Sequence, residues 1–399
     1  MLNLRDLIQP NSIDVFLDTY WQQQELIVKR NAVDYYRDLL TLTDIDTLLT
    51  TTEPLEGHFR IVKDGEQLEP KDYTSSITWG NRTSSRVIDV RKAIKYYSEG
   101  ATIVIEALNR RNKHLSVLCG SLEQELFARV QANVYLTPRN AQGFSRHYDT
   151  HDVFVLQIYG KKCWHLFDTP VGVPDESTPY HQRVGTGHMS SPTTSVVLES
   201  GDFLYIPRGM VHEASTSDET SLHVTLGIYT YTWFDFFQET LRICREDSRF
   251  RQSITLSDLK TRKMNEVSEL LFETLAEQFI AIARDSSAIL ENISGRHIAS
   301  RRAQFEGVLL NLESVPSLKP ETLIRKRLNN PLDVIQTEEG VLISNGGLKI
   351  TFDERFAAAA AFLLSCDEAF PIHVLPHLTW EDQLYFITTL INAGVISPE

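Results

Sequence analysis

The sequence predicts an α+β protein, in which a β-sandwich or β-barrel is preceded and followed by helices. Between about residues 117 and 236, short runs rich in β-branched and aromatic residues are separated by Gly, Pro and Ser, a texture typical of sandwiches and barrels. Before residue 50, and again from about 237 to 312, apolar residues recur at helical spacing instead. These contrasts define the fold class.

The first 50 residues are predicted to form helices. Ser12 is placed to cap "IDVFLDTYW", and Thr43 followed by Asp46 resembles a capping box in front of "IDTLL". Further on, "KAIKYYSEGATIVIEAL" predicts a helix that ends near Gly100 and is followed by a strand. The stretch 51–95 is polar and mixed, and no element is assigned to most of it.

The β-rich region supplies the strands of the predicted sandwich or barrel: "ANVYLTP", "DVFVLQIYG", "KKCWHLFD", "TSVVLES", "DFLYIP" and "SLHVTLGIYTY". Residues 169–192 are rich in Pro, Gly and Ser and predict a long loop. Loops of that length inside a compact domain are often functional, and this loop could equally be a variable surface segment.

The remainder of the chain is predicted to form two further modules. "NEVSELLFETLAEQFIAIA" places apolar residues such as Val267, Leu271 and Leu275 on one helix face. After a linker near 315, "VLISNGGLKITF" predicts a hairpin with Asn-Gly at its turn, and two helices follow. We therefore expect three domains, 1–236, 237–315 and 316–399, the last one winged-helix-like.

Bulk composition excludes several classes of function. The chain has 399 residues and a net charge of −14, which argues against broad binding to nucleic acid or anionic membranes. The four cysteines form no CxxC pair, so neither a disulfide framework nor a zinc knuckle is indicated and a reducing, cytoplasmic location fits. We expect no transmembrane helix, no signal peptide and no direct DNA binding.

A candidate metal centre lies in "GFSRHYDTHDVFV". His147 and Asp149 are two residues apart, so on a strand their side chains point to the same face. By itself the pair could equally be ordinary polar residues at the mouth of a strand. "GDFLYIPRGMVHEAST" adds His212 behind a strand that is bracketed by Gly and Pro. Together the three residues predict a metal site.

The donor set narrows the choice of metal. Two imidazoles and one carboxylate form a facial triad, which leaves three positions of an octahedral ion open and is typical of non-haem Fe(II) oxygenases. A structural zinc site would be closed and usually built from thiolates, and no cysteine lies at ligand spacing here.

Open metal positions require a co-substrate, and Lys162 is the candidate that would hold it. This lysine alternates with Trp164 and Leu166, so if that face looks inward its ammonium needs an anionic partner, such as the distal carboxylate of 2-oxoglutarate. Asn133 and Tyr135 share a face of "NVYLTP" and could bind the same acid. Taken alone, Lys162 could also be an exposed strand lysine. His151 could contact the substrate or support the metal ligands, but it, His165 and His223 are more simply ordinary strand residues.

The motifs "NVYLTP", "QGFSRHYDTHDVFVLQIYGKKCWHLFD", "LESGDFLYIPRGMVHEA" and "SLHVTLG" resemble the JmjC-domain ribosomal oxygenases, densely over residues 131–228. The resemblance implies a double-stranded β-helix of the cupin type, Fe(II) with 2-oxoglutarate and O2 as co-substrates, and His147, Asp149 and His212 as metal ligands. It also implies that Lys162 binds the C5 carboxylate, with Asn133 and Tyr135 beside it. Gly227 stands where the family often has serine, and Thr225 is the candidate that replaces its hydroxyl.

By this resemblance the chain is expected to hydroxylate a protein side chain, a histidine or arginine of a ribosomal protein, and Lys rather than Arg at 162 favours histidine. A helical dimerisation region is implied as well, so we expect a homodimer. Three alternatives stay open: a hydroxylase that tailors peptides, an N-methyl-lysine demethylase with the same centre, and a cupin scaffold without activity.

Overall fold

A computed structural model of the protein describes residues 2–169, 172–175, 177–178, 191–327, 330 and 332–399. Most of the loop predicted at 169–192 lies outside these residues. The chain divides into two compact units, Met1–Thr230 and Tyr231–Glu399. Each unit has its own hydrophobic core.

The strands of the first unit are β1 (Leu26–Val28), β2 (Phe59–Lys63), β3 (Glu66–Gln67), β4 (Thr74–Trp79), β5 (Arg82–Ile88), β6 (Thr102–Ile105), β7 (Ala128–Thr137), β8 (Asp152–Leu166), β9 (Thr194–Glu199), β10 (Phe203–Ile206), β11 (His212–Ser215) and β12 (Ser221–Thr230). Its helices are α1 (Leu4–Ile8), α2 (Ile13–Val15), α3 (Leu42–Thr51), α4 (Pro70–Tyr73), α5 (Val90–Ser98) and α6 (Lys113–Glu125). The predicted α+β class is confirmed.

Strand β8 links two groups of strands in this unit, while β4 and β5 pair separately. Its first part pairs with β10 and β12 in a large antiparallel sheet of order β1-β10-β8-β12-β7-β6-β2-β3. From Lys161 onward it pairs instead with β9 and β11. Apolar side chains that include Val153, Trp164 and Leu204 form a small core along both parts. One long strand therefore carries residues from one group of strands to the other.

The N-terminal helices cover one face of the large sheet. Leu7 and Phe16 are fully buried there, together with Leu118 and Leu122 of α6. Phe16 packs edge-on against the ring of Tyr205 at 5.1 Å between centroids. Burial of such side chains contributes about 1.5–3 kcal/mol each to the stability of the unit. The opposite face of the sheet remains available for a site.

Two predictions for the first 50 residues are corrected. Helix α3 begins two residues earlier than the sequence suggested: Thr41 is its N-cap and forms a capping box with Asp44, so Thr43 and Asp46 lie inside the helix. The segment Leu26–Val28 is a strand that pairs with Phe203–Tyr205 and not part of a helix, because pairing at the sheet edge outweighs local propensity. The cap at Ser12 and the helix and strand on either side of Gly100 are confirmed.

The helices of the second unit are α7 (Trp233–Cys244), α8 (Leu256–Thr261), α9 (Glu266–Arg284), α10 (Ser286–Ser300), α11 (Val308–Ser314), α12 (Ala357–Ser365) and α13 (Trp380–Asn392). Its strands are β13 (Leu323–Lys326), β14 (Leu332–Thr337), β15 (Gly340–Asn345), β16 (Leu348–Phe352), β17 (Phe370–Pro371) and β18 (Ile396–Pro398). The predicted hairpin is present as β15 and β16, with Asn345 paired to Leu348, so Gly346 and Gly347 make the turn.

Among the described residues, no helix combines the length and the apolar character that crossing a bilayer would demand.

Candidate metal centre and adjoining cavity

The structure brings the predicted metal ligands together. One potential ligand atom from each of His147, Asp149 and His212 lies within 4.8 Å of the others. The Nε2 atom of His212 is 3.6 Å from Oδ2 of Asp149, and the two imidazole rings are 4.5 Å apart between centroids. We call these three residues the triad. Their atoms are close enough to share one ion.

Backbone pairing holds the triad in place. The amide of His147 donates to the carbonyl of His212 at 3.1 Å, and the amide of His212 donates back to the carbonyl of His147 at 2.7 Å. The carbonyl of Asp149 accepts from the amide of Gly209 at 2.9 Å. A bridge between segments more than sixty residues apart in sequence therefore sets the spacing of the two imidazoles.

Each triad histidine also has its ring orientation fixed. Nδ1 of His147 contacts the carbonyl oxygen of Ser145 at 2.7 Å, and Nδ1 of His212 contacts that of Met210 at 3.0 Å. A carbonyl oxygen can only accept, so Nδ1 carries the hydrogen in both rings and Nε2 presents its lone pair. This is the arrangement that orients metal-binding histidines in proteins.

The electrostatics of the triad favour its metal-binding protonation states. Burial, together with the neighbouring His147, lowers the pKa of His212 to about 4, so its ring is neutral at neutral pH. Burial alone would raise the pKa of Asp149, but the combined effect of His151, His147 and His212 lowers it. A neutral imidazole beside a carboxylate suits a divalent cation.

A cavity of about 270 Å³ adjoins the triad. Its wall comes mainly from alternate residues of β7 and β12 and from residues in both parts of β8. The lining includes Asn133, Tyr135, Lys162, Trp164, His223 and Thr225, together with the triad. All of the candidate co-substrate residues from the sequence therefore meet in one cavity.

Lys162 is buried, with 4% of its surface exposed. Its Nζ donates to Oγ1 of Thr137 at 2.9 Å, and no acidic side chain among the described residues pairs with it. Burial lowers the pKa of Lys162 to about 7. The neighbouring Lys161 points outward and pairs with Glu199 at 3.0 Å. The structure therefore agrees with the inward orientation expected for Lys162.

The other predicted co-substrate residues retain free polar atoms. Oδ1 of Asn133 accepts from the amide of Ala107 and from Nε2 of Gln131, both at 3.0 Å, so its amide hydrogens remain for a ligand. Burial raises the pKa of Tyr135 and outweighs the opposing effects of Arg60 and Thr225. Thr225 lines the same cavity.

Two residues that looked like ordinary strand residues, His223 and His151, lie in the cavity wall. His223 is 2% exposed, stacks on Tyr135 at 4.8 Å with an angle of 3° between rings, and contacts the Trp164 ring edge-on at 5.5 Å. Burial and Lys162 lower its pKa well below the usual range. His151 also lines the cavity. Alternation along β12 places His223 and Thr225 on one face, and this pattern could have indicated His223 from the sequence.

Comparison with known proteins identifies the domain that carries this site. Residues 108–236 match the JmjC domain family. The match includes the three triad residues and all of the candidate co-substrate residues. It covers the strands β7 to β12 and ends in α7.

Curated relatives match about three fifths of the chain. The chain is 33% identical over 236 residues to a bifunctional lysine-specific demethylase and histidyl-hydroxylase of Drosophila grimshawi, covering 59% of this chain and 31% of that protein. It is 34% identical to the protein of the same description in Dictyostelium discoideum, covering 60% and 45%. Human ribosomal oxygenase 1 is 29% identical, covering 62% and 38%. The chain spans less than half the length of these relatives.

Solved structures match the chain from end to end. The Escherichia coli ribosomal oxygenase YcfD has a TM-score of 0.57 at 16% identity, with 98% of both chains covered. A YcfD complex with cobalt and 2-oxoglutarate has a TM-score of 0.55 at 15% identity, covering 97% of this chain and 98% of that one. At this identity the likeness establishes the fold, a cupin-type mixed α/β architecture.

Proposed function

We propose that the protein is an Fe(II)- and 2-oxoglutarate-dependent oxygenase that hydroxylates a protein side chain, in keeping with the match of residues 108–236 to the JmjC domain family. One observation carries the proposal: the triad opens into a cavity in which a buried lysine has no acidic partner among the described residues. A metal ion with open coordination positions would occupy the triad. A carboxylate of an acid bound beside that ion would pair with the lysine.

The triad fits Fe(II). Two imidazoles and a carboxylate leave coordination positions open, and oriented neutral imidazoles are the nitrogen ligands that iron takes in such sites. His147, Asp149 and His212 would hold the ion, and the carbonyl groups of Ser145 and Met210 would keep both rings turned toward it.

The cavity fits 2-oxoglutarate. In the strand register Leu166 lies opposite His212, and Lys162 lies four residues further from the triad along β8, about 13 Å at the usual strand rise. A buried ammonium without a counter-charge is costly, and a carboxylate would relieve that cost. The amide hydrogens of Asn133 and the hydroxyl of Tyr135 would donate to the same molecule.

When bound, the iron and 2-oxoglutarate supply the oxidising chemistry that converts a C–H bond of the target to C–OH with O2. The side chains of this protein bind and orient. The triad fixes the ion, and Lys162 and Thr137 fix the far end of the acid. Trp164 and His223 close the wall around it and exclude water.

The target we propose is a side chain of a ribosomal protein, with histidine or arginine as the residue. Its support is the description of human ribosomal oxygenase 1 and of the histidyl-hydroxylases among the relatives. The relatives' descriptions also contain lysine demethylation, which makes an N-methyl-lysine the second candidate. Release of formaldehyde would separate demethylation from simple hydroxylation.

For the rest of the chain we propose the three domains 1–236, 237–315 and 316–399. Helices α8 to α11 fall within the middle segment, and α7 (Trp233–Cys244) crosses its first boundary. The strands and helices of the last segment, β14 to β16 with α12 and α13, support a winged-helix-like module. We place the protein in the cytoplasm, where its four free thiols would stay reduced.

We also propose a homodimer built on the helical segment. Apolar side chains on α7, α9 and α10 surround a groove of about 520 Å³, and Trp233 is 76% exposed at its edge. Light scattering would test this. Trp233→Ser should shift the protein toward monomer, whereas Val33→Ser, which removes another exposed apolar side chain, should not. A wild type that is monomeric at micromolar concentration would contradict the dimer.

The function itself is tested by loading the protein with Fe(II) and 2-oxoglutarate without oxygen, adding ribosomal proteins and then O2. We expect succinate, and a gain of one oxygen atom on one ribosomal protein by intact mass. Succinate without that gain would point to another target. No metal binding and no succinate would overturn the oxygenase.

A further inference from the structure

Gly227 lies in the row of β12 residues that faces the cavity. Thr225 and Tyr229, two positions to either side, both line it. A Cβ atom at position 227 would lie 3.0 Å from Cε1 and 3.2 Å from Nδ1 of the His151 ring. The imidazole of His151 therefore occupies the space that a side chain at 227 would need.

The His151 ring is held on several sides. Its Nδ1 contacts the carbonyl oxygen of Asp152 at 3.1 Å, and its ring packs on Tyr229 at 4.5 Å between centroids. Tyr229 is in turn covered by the guanidinium of Arg129, 5.2 Å from its ring centre. The contact of Nδ1 with a carbonyl oxygen requires Nδ1 to carry the hydrogen, so the neutral ring offers Nε2 as an acceptor.

His151 also lies where a target would enter. It lines the cavity together with the triad, and it lines the adjoining surface pocket that contains Gly65, Ser145 and Thr150. Nε2 has no hydrogen-bond partner among the described residues. An unpaired acceptor at this point favours a group that donates a hydrogen bond and penalises an apolar one, which would leave Nε2 buried and unsatisfied.

We propose that His151, in the space left by Gly227, determines target specificity by accepting a hydrogen bond at Nε2 from an N–H group of the side chain to be oxidised. The inference rests on the proposed function and adds to it the residue that selects an imidazole or guanidinium target over an aliphatic one.

The test compares His151→Ala, His151→Phe, Gly227→Val and the double variant His151→Ala/Gly227→Val, with ribosomal proteins as the probe. Target oxidation by His151→Ala should fall about tenfold, the value of one hydrogen bond near 1.4 kcal/mol. His151→Phe, which keeps a ring against Tyr229, should fall as much. Binding of 2-oxoglutarate should stay at the wild-type value.

The double variant separates a shared effect from an independent one. Gly227→Val should lose activity by displacing the His151 ring, so it should cause little further loss once that ring is absent. Additive losses, or weaker 2-oxoglutarate binding in Gly227→Val, would mean that position 227 acts on the co-substrate and would overturn the coupling. His165→Ala, a histidine on β8 whose Nδ1 contacts Ser195 at 2.8 Å, is the matched control.

The outcomes keep the two proposals apart. Unchanged target oxidation in His151→Ala, with an active wild type, would overturn the role of His151 and leave the oxygenase standing. Oxidation of a target side chain that has no N–H group would likewise overturn the role of His151 and leave the oxygenase standing. A wild type that forms no succinate would overturn the proposed function and this inference with it.

Discussion

At the triad, two imidazoles are turned toward a common point by backbone carbonyl groups, whereas at the lysine side of the same cavity a single hydroxyl contacts the Lys162 ammonium. The triad has its partners in place before any ligand arrives. The lysine side does not, because its charge lacks a counter-charge among the described residues. We infer that the protein itself orients the metal ligands, whereas the charge of Lys162 is balanced only when the co-substrate binds.

The largest effect that would sharpen this contrast is expected for His212→Ala. Loss of a ligand should weaken Mn(II) binding by at least about 100-fold, since even the loss of groups that orient a ligand costs 10- to 100-fold. Calorimetry with Mn(II) and a succinate assay would measure it, and His165→Ala should behave as wild type. Wild-type metal affinity in His212→Ala would show that the triad is not the metal-binding site.

At the lysine side, Lys162→Met should raise the KM for 2-oxoglutarate by about 10- to 100-fold, the range for hydrogen bonds to a charged group. Metal binding should not change, because Lys162 does not contact the triad. Lys161→Met is the matched control, since that lysine pairs with Glu199 at the surface. Equal effects of the two substitutions would contradict an inward role for Lys162.

Because Lys162 lacks a counter-charge among the described residues, the affinity for 2-oxoglutarate should also depend on pH. Burial lowers the pKa of Lys162 to about 7 in the free protein, and a bound carboxylate would raise it. Above pH 7 the lysine must therefore take up a proton when 2-oxoglutarate binds, so affinity should fall by up to about tenfold per pH unit. Below pH 7 the dependence should flatten.

Titration calorimetry in buffers of different ionisation enthalpy would detect that proton uptake at pH 8. The neighbouring His223 should contribute little, because burial and Lys162 hold its pKa well below the usual range. Lys162→Met should abolish the uptake. Proton release, or uptake that persists in Lys162→Met, would show that another group is responsible.

The smallest effect is expected for Thr137→Val, which removes the hydroxyl that accepts from Lys162 at 2.9 Å. A loss of about 1 kcal/mol corresponds to a roughly fivefold weaker binding of 2-oxoglutarate. In the Lys162→Met background the same substitution should have almost no effect. A full loss in that background would mean that Thr137 contacts the ligand directly.

Local patterns in the sequence predicted much of this site. The spacing of His147 and Asp149, with the Gly and Pro residues around β10 that indicated His212, predicted the triad, although His147 forms only an isolated bridge and not part of a strand. For Lys162, alternation left both orientations open, and the resemblance to a known family favoured the inner face. The start of α3 was misjudged by two residues because Thr41 and Thr43 are both followed three residues later by an aspartate.

The remaining features depend on pairing between distant segments. His223 faces Tyr135 because β12 and β7 pair in one particular register. Thr137 contacts Lys162 across two strands, and His151 fills the space over Gly227. Strand order and register are set by the packing of the whole sheet, so a reading of single segments could not give them.

The reciprocal backbone bonds between His147 and His212 have a consequence for how the protein would behave in a cell. Because these bonds join backbone groups, folding of the chain brings the two imidazoles together, and we expect an apoprotein that can be recharged with metal. Rigid nitrogen and oxygen ligands of this kind hold several divalent ions, and affinity follows the general order for such metals. Correct loading would then be decided by the supply of iron relative to its competitors.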